Sequence, residues 1–538
     1  VYRKCKILIA FIILLLMITA SYNPATALEN NQIGSLQMSI LDQKLQEEPI
    51  STRWAEGFGD FRRVAGMVFT IYTVFIAILI FMENKNPAKT ISWLLILVLV
   101  PVIGFIFYLF LGHSFRKENI FKKKRVRNFQ QLEELATIQQ EAIKEEQLFF
   151  EEDSLVKRRL ISLILNNAKS PFTVNNRVTV LSNGVATFET IMKALEGAQD
   201  HIHLEYFIIK DDIIGGVIKE QLMEKARKGV KVRVLYDSVG SWKLGKSYLE
   251  DMRAAGVEIH GFLPVFFPLL SRELNYRNHR KIIVIDGKVG FVGGLNIGDE
   301  YLGNDSYLGF WRDTHLKIEG EAVYGLQNIF LGDWEFVTKE YIAFNETYFP
   351  KLDYYGEQLI QITGSGPDSD WQSIMQAYFA IISSAENRIW INTPYLVPDE
   401  SIMMALKTAA LSGVDVRVIL PSRPDHKTVF WASMGNIEDL LKAGVKVYKY
   451  QKGFIHAKIL LADGSAASIG TANLDIRSFQ INFEVNAFIY DKEIVMEMEK
   501  DFLADIEDSK EVLLEEHLKR PLSEKIKEAT GRLFSPLL

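Results

Sequence analysis

From Phe172 onward the apolar positions switch repeatedly between a helical period and short β-type runs, and the order of switching occurs twice. In the first stretch Ile191–Ala198 reads as helix and His201–Ile209 as strand. Ile218–Lys228 then reads as helix and Gly229–Leu235 as strand. In the second stretch Ile374–Ala385 and Arg388–Thr393 repeat the first pair, and Ile402–Leu411 and Gly413–Ile419 repeat the second. Ala255–Ile259 has its counterpart in Ala443–Val447. Matched pieces stand roughly 177–188 residues apart, so the pattern is a tandem duplication. Alternating strands and helices predict α/β layers with a mixed or mainly parallel sheet in each copy. The copies are expected over 172–345 and 346–510, with a helical tail over 511–538.

Three longer apolar runs precede the copies. Ile7–Ala20 follows a basic Arg3-Lys4-Cys5-Lys6 start, and Ala25-Thr26-Ala27 behind it resembles a cleavage site. Val64–Met82 and Ile91–Leu111 are about 19 and 21 residues long, enough to span a bilayer as helices. The short link Glu83–Thr90 makes them a transmembrane helical hairpin over 62–112. Arg62 and Arg63 stand before it; Arg116, Lys117, Lys122, Lys123, Lys124, Arg125 and Arg127 stand behind it; only Lys85 and Lys89 lie between. The positive-inside rule therefore predicts a multi-pass protein of the cell membrane, with both flanks and the duplicated part on the cytoplasmic side. Two buried core helices are the alternative, and the unbroken apolar runs speak against it. Residues 1–61 carry the signal-like or additional membrane stretch at 7–20, which as a cleaved signal or a third span would invert the hairpin; the stronger basic asymmetry behind the hairpin decides for the first orientation. Residues 113–171 read as a basic, helical juxtamembrane connector whose charges suit anionic headgroups as well as topology.

Composition narrows the classes. Apolar residues make up 48% of 538, ample for several cores. The net charge of −6 offers no global basic field, so no nucleic-acid partner is expected. A lone cysteine, Cys5, excludes intrachain disulfides and cysteine-cluster metal sites.

The chemistry lies in a repeated pattern, His-x-Lys-x-x-x-x-Asp. It occurs as His279, Lys281 and Asp286, and again as His456, Lys458 and Asp463. Each copy runs through an apolar stretch to an Asp-Gly turn, and an asparagine follows ten residues after the aspartate: Asn296 and Asn473. Histidine and lysine two apart on a strand share a face and can meet one anionic group. The aspartate has the opposite parity and sits at the turn, where it suits orientation better than attack. A pseudo-twofold interface would gather two histidines, two lysines and two asparagines around one phosphodiester. The cations would neutralise its oxygens, one imidazole would attack phosphorus and the other would protonate the leaving alcohol. No partner set of cysteines or clustered carboxylates offers a metal cage, so neither metal nor cofactor is expected. His201 and His203 share one strand face without a third ligand and read as strand histidines; His315 stands equally well as site wall or structural residue.

These motifs resemble the phospholipase D superfamily, and most closely its bacterial cardiolipin synthases. The resemblance runs from about Arg62 to Leu538. It includes Asn86–Trp93, His203–Phe207, Asn275–Lys281, Gly293–Glu300, Gly309–His315, Gly470–Ser478 and Asn482–Asn486. It implies a tandem duplicated phospholipase D-type α/β sandwich behind the membrane hairpin. It also implies metal-independent transfer between two phosphatidylglycerol molecules through a phosphatidyl-histidine, giving cardiolipin and glycerol, with membrane lipids as the partners. By the same resemblance His279 is the nucleophile and His456 the general acid, then base. Glu484, 21 residues after Asp463, matches the acid that supports a histidine, and Asp313 is its first-copy counterpart at a spacing of 27. The motifs alone do not name the acceptor, so a phospholipase D-type hydrolase or another phosphatidyltransferase, such as a phosphatidylserine synthase, is the alternative. A nuclease is disfavoured by the acidic balance, and a scaffold with a vestigial site by two intact motifs. The loop Phe262–Leu270 is rich in apolar residues and interrupted by two prolines, which suits contact with acyl chains or packing into the core.

Overall fold

A computed structural model describes residues 87–99, 130–145, 155–264 and 275–535, with scattered positions among 66–78 and at Gly104. Residues 1–65, most of both membrane runs and the Phe262–Leu270 loop beyond Pro264 lie outside the described residues. The chain divides into a unit over Val1–Arg116 and a unit over Lys117–Leu538. In the first unit, helix α1 (Pro87–Leu99) covers the hairpin link's end and the start of the second apolar run. No helix among the described residues is long and apolar enough to cross a membrane.

The second unit is built on two sheets of the same design. The first contains β1 (Asn176–Ser182), β2 (His201–Tyr206), β3 (Lys231–Asp237), β4 (Glu258–Phe262), β5 (Lys281–Ile285), β6 (Val289–Gly293) and β7 (Thr314–Gly320), in the order β1-β7-β6-β5-β2-β3-β4. The second contains β8 (Ile360–Ser365), β9 (Arg388–Asn392), β10 (Asp415–Pro421), β11 (Lys446–Tyr450), β12 (Ile459–Ala462), β13 (Ala466–Gly470), β14 (Glu484–Ile489) and β15 (Ser509–Glu511). Its order is β8-β14-β13-β12-β9-β10-β11-β15, with Phe172–Thr173 added beside β8. The first seven places match one for one, so the duplication reaches strand order and register. Each sheet is mixed, the first of the two arrangements expected, and within it only β2-β3-β4 or β9-β10-β11 run parallel. The motif strand and the trailer after it return as a tight hairpin, which forces antiparallel pairing at that point.

The strands carry apolar side chains on both faces because both faces are covered. Along β5, Ile282 and Val284 enter a core shared by the two sheets, while Ile283 and Ile285 enter the core under the first copy's helices. Along β12, Ile459 and Leu461 take the shared side, and Leu460 and Ala462 face the second copy's helices. The two sheets therefore face each other across a core that also takes in the helices Val323–Thr338 and Lys492–Glu507, while other helices cover their outer faces. Helix α2 (Gln130–Lys144) and α3 (Leu155–Asn167), from the connector, join the second copy's outer core through Ala136, Ile143, Leu160, Ile161, Ile164 and Leu165.

The motif aspartates belong to this framework. Asp286 closes the turn after β5 with φ of 53° and accepts backbone N–H bonds from Gln199, Asp200 and His201 at 2.8–2.9 Å. Asp463, with φ of 52°, does the same for Glu386, Asn387 and Arg388 at 2.8–2.9 Å. Each ties the motif hairpin to the start of the neighbouring strand, β2 or β9, which runs antiparallel to the motif strand. They stand at the far end of the motif strand from the histidines, seven residues on, roughly 23 Å at the rise of a β-strand. Their oxygens are occupied by backbone N–H groups.

Candidate active site

The motif histidines do not lie on the motif strands. Strand β5 begins at Lys281 and β12 at Ile459, so each histidine ends an extended segment before its strand. These segments are pinned by the other copy. Gly453–Ile455, before His456, pairs in parallel with Phe310–Arg312, before Asp313. Asn278, before His279, bridges in parallel to Phe483, before Glu484. The backbone N–H of His456 donates to the Arg312 carbonyl at 2.7 Å, and that of His279 to the Phe483 carbonyl at 2.9 Å.

This interlock crosses the supporting acids between copies. His279 Nδ1 bonds Glu484 Oε2 at 2.9 Å, although Glu484 belongs to the second copy. His456 Nδ1 bonds Asp313 Oδ2 at 2.8 Å, although Asp313 belongs to the first. Both carboxylates are fully buried. Glu484 also accepts from Thr471 Oγ1 at 2.6 Å, and Asp313 from the Thr314 N–H at 2.8 Å. The glycine after β6 makes room for this: a Cβ on Gly294 would stand 2.1 Å from an Asp313 carboxylate oxygen. An Nδ1–H held by a carboxylate leaves the Nε2 lone pair of the neutral ring for chemistry.

Aromatic rings back both imidazoles. Phe207 meets His279 edge-on with centroids 4.9 Å apart, and Trp311 lies 5.1 Å from His456. Lys281 and Lys458 are buried, and each folds its ammonium onto the carbonyl of its own motif histidine at 2.6 Å. Lys458 Nζ also comes within 3.0 Å of His456 Nε2.

Burial sets the protonation states. It pushes both His279 and His456 down to about 4, against the pull of Glu484 and Asp313. It pushes Lys281 down to about 7 and Lys458 to about 8. Burial opposes ionisation of the two acids as well. His279 and Lys281 outweigh it at Glu484, and His456 and Lys458 at Asp313, and both carboxyls are held below their ordinary value. At neutral pH the site thus presents two neutral imidazoles beside ionised acids and two lysines near their titration points. A phosphodiester anion placed between the rings favours the protonated form of each cationic group.

The two trailer asparagines are not equivalent. Asn296 is spent on structure, accepting from the Ile208 N–H at 3.2 Å and donating to the Tyr301 hydroxyl at 2.9 Å. Asn473 is buried, and its side-chain oxygen bonds no group among the described residues. His201 and His203 are core residues near the Asp286 turn: His203 stacks on Phe330 at 4.5 Å and bonds Gln327. Among the described residues no group of three or more histidine, cysteine or acidic side chains could hold a metal ion. Reading the sequence missed the crossing itself, the ring contacts of Phe207 and Trp311, and the Thr471 hydroxyl. Thr471 stands where the first copy has Gly294, and that difference between otherwise matched trailers was its only signal.

Fold and site together define a duplicated enzyme of phosphodiester chemistry. Residues 191–334 and 378–506 match the family described as cardiolipin synthase, PLD-like domain, and residues 68–113 match phospholipase D-nuclease N-terminal. A cardiolipin synthase of Geobacillus sp. (strain WCH70) is 51% identical over 466 residues, covering 86% of this chain and 92% of the relative. The major cardiolipin synthase ClsA of Bacillus subtilis (strain 168) is 42% identical over 477 residues, covering 88% and 98%. Among solved structures, phosphatidylserine synthase of Haemophilus influenzae Rd KW20 superposes with a TM-score of 0.54 at 14% identity, over 72% of this chain and 100% of that one. The chain belongs to the cardiolipin synthase family of the phospholipase D superfamily.

Proposed function

We propose that the protein is a phosphatidyltransferase that joins two phosphatidylglycerol molecules into cardiolipin and releases glycerol. Family membership over most of the chain gives the activity; the crossed His279–Glu484 and His456–Asp313 pairs carry the mechanism. The first phosphatidylglycerol sets its phosphate between the imidazoles, with Lys281, Lys458 and the Asn473 amide on its oxygens. His279 Nε2 attacks phosphorus as the P–O bond to the headgroup glycerol breaks. His456, protonated in this complex, gives its proton to the departing oxygen. The product is phosphatidyl-His279 and free glycerol. A second phosphatidylglycerol then loses its terminal hydroxyl proton to His456, its oxygen attacks phosphorus, and the P–N bond breaks to free His279. Glu484 holds the Nδ1–H of the nucleophile and steadies its positive charge, as Asp313 does for the acid.

The hairpin over 62–112 brings this chemistry to the bilayer, with the catalytic unit on the cytoplasmic side. Exposed Ile91, Leu95 and Ile96 on α1 and the match over 68–113 support that reading. A site held against lipid meets phosphatidylglycerol at high local concentration, so its hydroxyl competes with water. Purified protein in vesicles with labelled phosphatidylglycerol is expected to give more cardiolipin than phosphatidic acid, with one glycerol per cardiolipin. Predominant phosphatidic acid would move the assignment to a hydrolase.

The lysines give a pH dependence. A lysine whose free-site value is lowered is charged below that value and binds the phosphate fully there. Above it, binding must also take up a proton. The KM for a soluble short-chain phosphatidylglycerol should therefore rise through pH 7 to 8, where Lys281 and Lys458 titrate, by up to about tenfold per pH unit for each proton taken up. A KM independent of pH across that range would remove the lysines from phosphate binding.

A further inference from the structure

Each supporting acid is itself held by a buried arginine, and the two arginines come from different places in the duplicated plan. Arg280, inside the first motif, donates from Nε to the Glu484 carbonyl at 3.1 Å and from NH2 to the Ser365 carbonyl at 3.3 Å. Its remaining nitrogen bonds Asp333 on α7 (Val323–Thr338). Arg312, just before Asp313, donates from NH1 to the Asp313 carbonyl at 2.7 Å and to Thr314 Oγ1 at 2.8 Å. Its Nε bonds Asp505 Oδ1 at 2.7 Å, on α12 (Lys492–Glu507). Helices α7 and α12 occupy the same place in the two copies, each following the strand that continues from a supporting acid.

The residues do not correspond, yet the contacts do. At the position of Arg280 the second copy has Ala457, buried in the core between the sheets. At the position of Arg312 the second half-site has Phe483, whose ring lies under the Arg280 guanidinium at 5.4 Å. One guanidinium therefore fills each half-site from opposite sides of the interlock. Duplicated sheets that lost residue identity but kept this contact on both sides point to a requirement at the site rather than to generic packing.

We propose that Arg280 and Arg312 are positioning residues, each fixing the backbone of one supporting acid and through it one imidazole. Arg280 serves His279 through Glu484, and Arg312 serves His456 through Asp313. The proposal rests on the phosphohistidine reading above, and it predicts separable behaviour. A phosphodiester lipid with a nitrophenol leaving group needs little help from a general acid, so it bypasses His456 but not His279.

The test compares Arg280→Lys, Arg280→Met, Arg312→Lys and Arg312→Met with His279→Ala and His456→Ala, on phosphatidylglycerol vesicles and on the nitrophenyl diester. Each methionine variant should lose roughly 100-fold on phosphatidylglycerol, the size expected of a displaced catalytic group, and the lysine variants less. Arg312→Met should recover most of its first-turnover nitrophenol release from the diester, as His456→Ala should; Arg280→Met should not, as with His279→Ala. If the histidine roles are exchanged, the arginine patterns should exchange with them. The double variants Arg312→Met/Asp505→Asn and Arg280→Met/Asp333→Asn remove the unpaired buried carboxylate, so a loss through misfolding is separated by its recovery there. Equal losses on both substrates for both arginines, or recovery of full activity in the double variants, would overturn the proposal. Wild-type release of nitrophenol without cardiolipin would instead count against the proposed acceptor and leave the arginine comparison readable.

Discussion

His279→Ala should reduce both cardiolipin formation and nitrophenyl-diester cleavage by about 10⁴-fold or more, because the group that forms the covalent bond is gone and no leaving group replaces it. His456→Ala should match that loss on phosphatidylglycerol within about a hundredfold, yet cleave the nitrophenyl diester far faster than His279→Ala does. The asymmetry follows from the two jobs. Glycerol is a poor leaving group and needs a proton, which general acid catalysis supplies for roughly 10²–10⁴-fold in rate. Nitrophenolate departs without it. Both imidazoles are pushed to about 4 by burial, so neither ring alone reveals which is the acid; the reaction needs one more proton than the neutral pair holds. The steady-state rate on phosphatidylglycerol and the first-turnover burst of nitrophenol from the activated diester check the expectation, since the second step still needs His456. Equal recovery of the two variants on the activated diester would deny any division of labour.

Glu484→Gln and Asp313→Asn should each cost roughly 10⁴-fold on phosphatidylglycerol, comparable to the loss of an imidazole-orienting carboxylate in other enzymes. The crossing makes the outcome distinctive. Glu484 lies in the second copy but should behave with His279, and Asp313 lies in the first but should behave with His456. On the nitrophenyl diester Asp313→Asn should recover and Glu484→Gln should not. Double variants within a crossed pair should lose little beyond the worse single variant, since the pair acts as a unit. Additive losses within His279–Glu484, or coupling of Glu484 with His456 instead, would contradict the contacts at 2.9 and 2.8 Å.

What could be read in advance follows from what is local. Ile282–Ile285 and Ile459–Ala462 are apolar on both faces, so they read as strands buried between layers, and repeated spacing revealed the duplication before any contact was known. Glu484 and Asp313 stood out as acids from the resemblance, but nothing local says that each serves the other copy's histidine. That pairing depends on two short parallel interlocks, Gly453–Ile455 with Phe310–Arg312 and Asn278 with Phe483, between segments more than 140 residues apart. Asp286 and Asp463, by contrast, are local. They recur with the histidines in sequence because the hairpin they close is repeated, and their oxygens go to backbone N–H groups at its far end. Asn296 and Asn473 looked alike by spacing, and Tyr301 separates them by taking the Asn296 amide. The sheet direction was also beyond the pattern, since a turn after Asp286 or Asp463 can lead back beside its strand or onward to another.

The central claim is that a covalent phosphatidyl group rests on one histidine of a site shared by both copies. Protein mixed with phosphatidylglycerol vesicles, quenched within the first turnover and digested for mass spectrometry, tests it most directly. The account predicts a phosphatidyl adduct on the peptide bearing His279, formed in wild type, accumulating in His456→Ala with the activated diester, and absent from His279→Ala. An adduct on His456 would reverse the roles, and a protein that makes cardiolipin with no adduct on either histidine would contradict the mechanism.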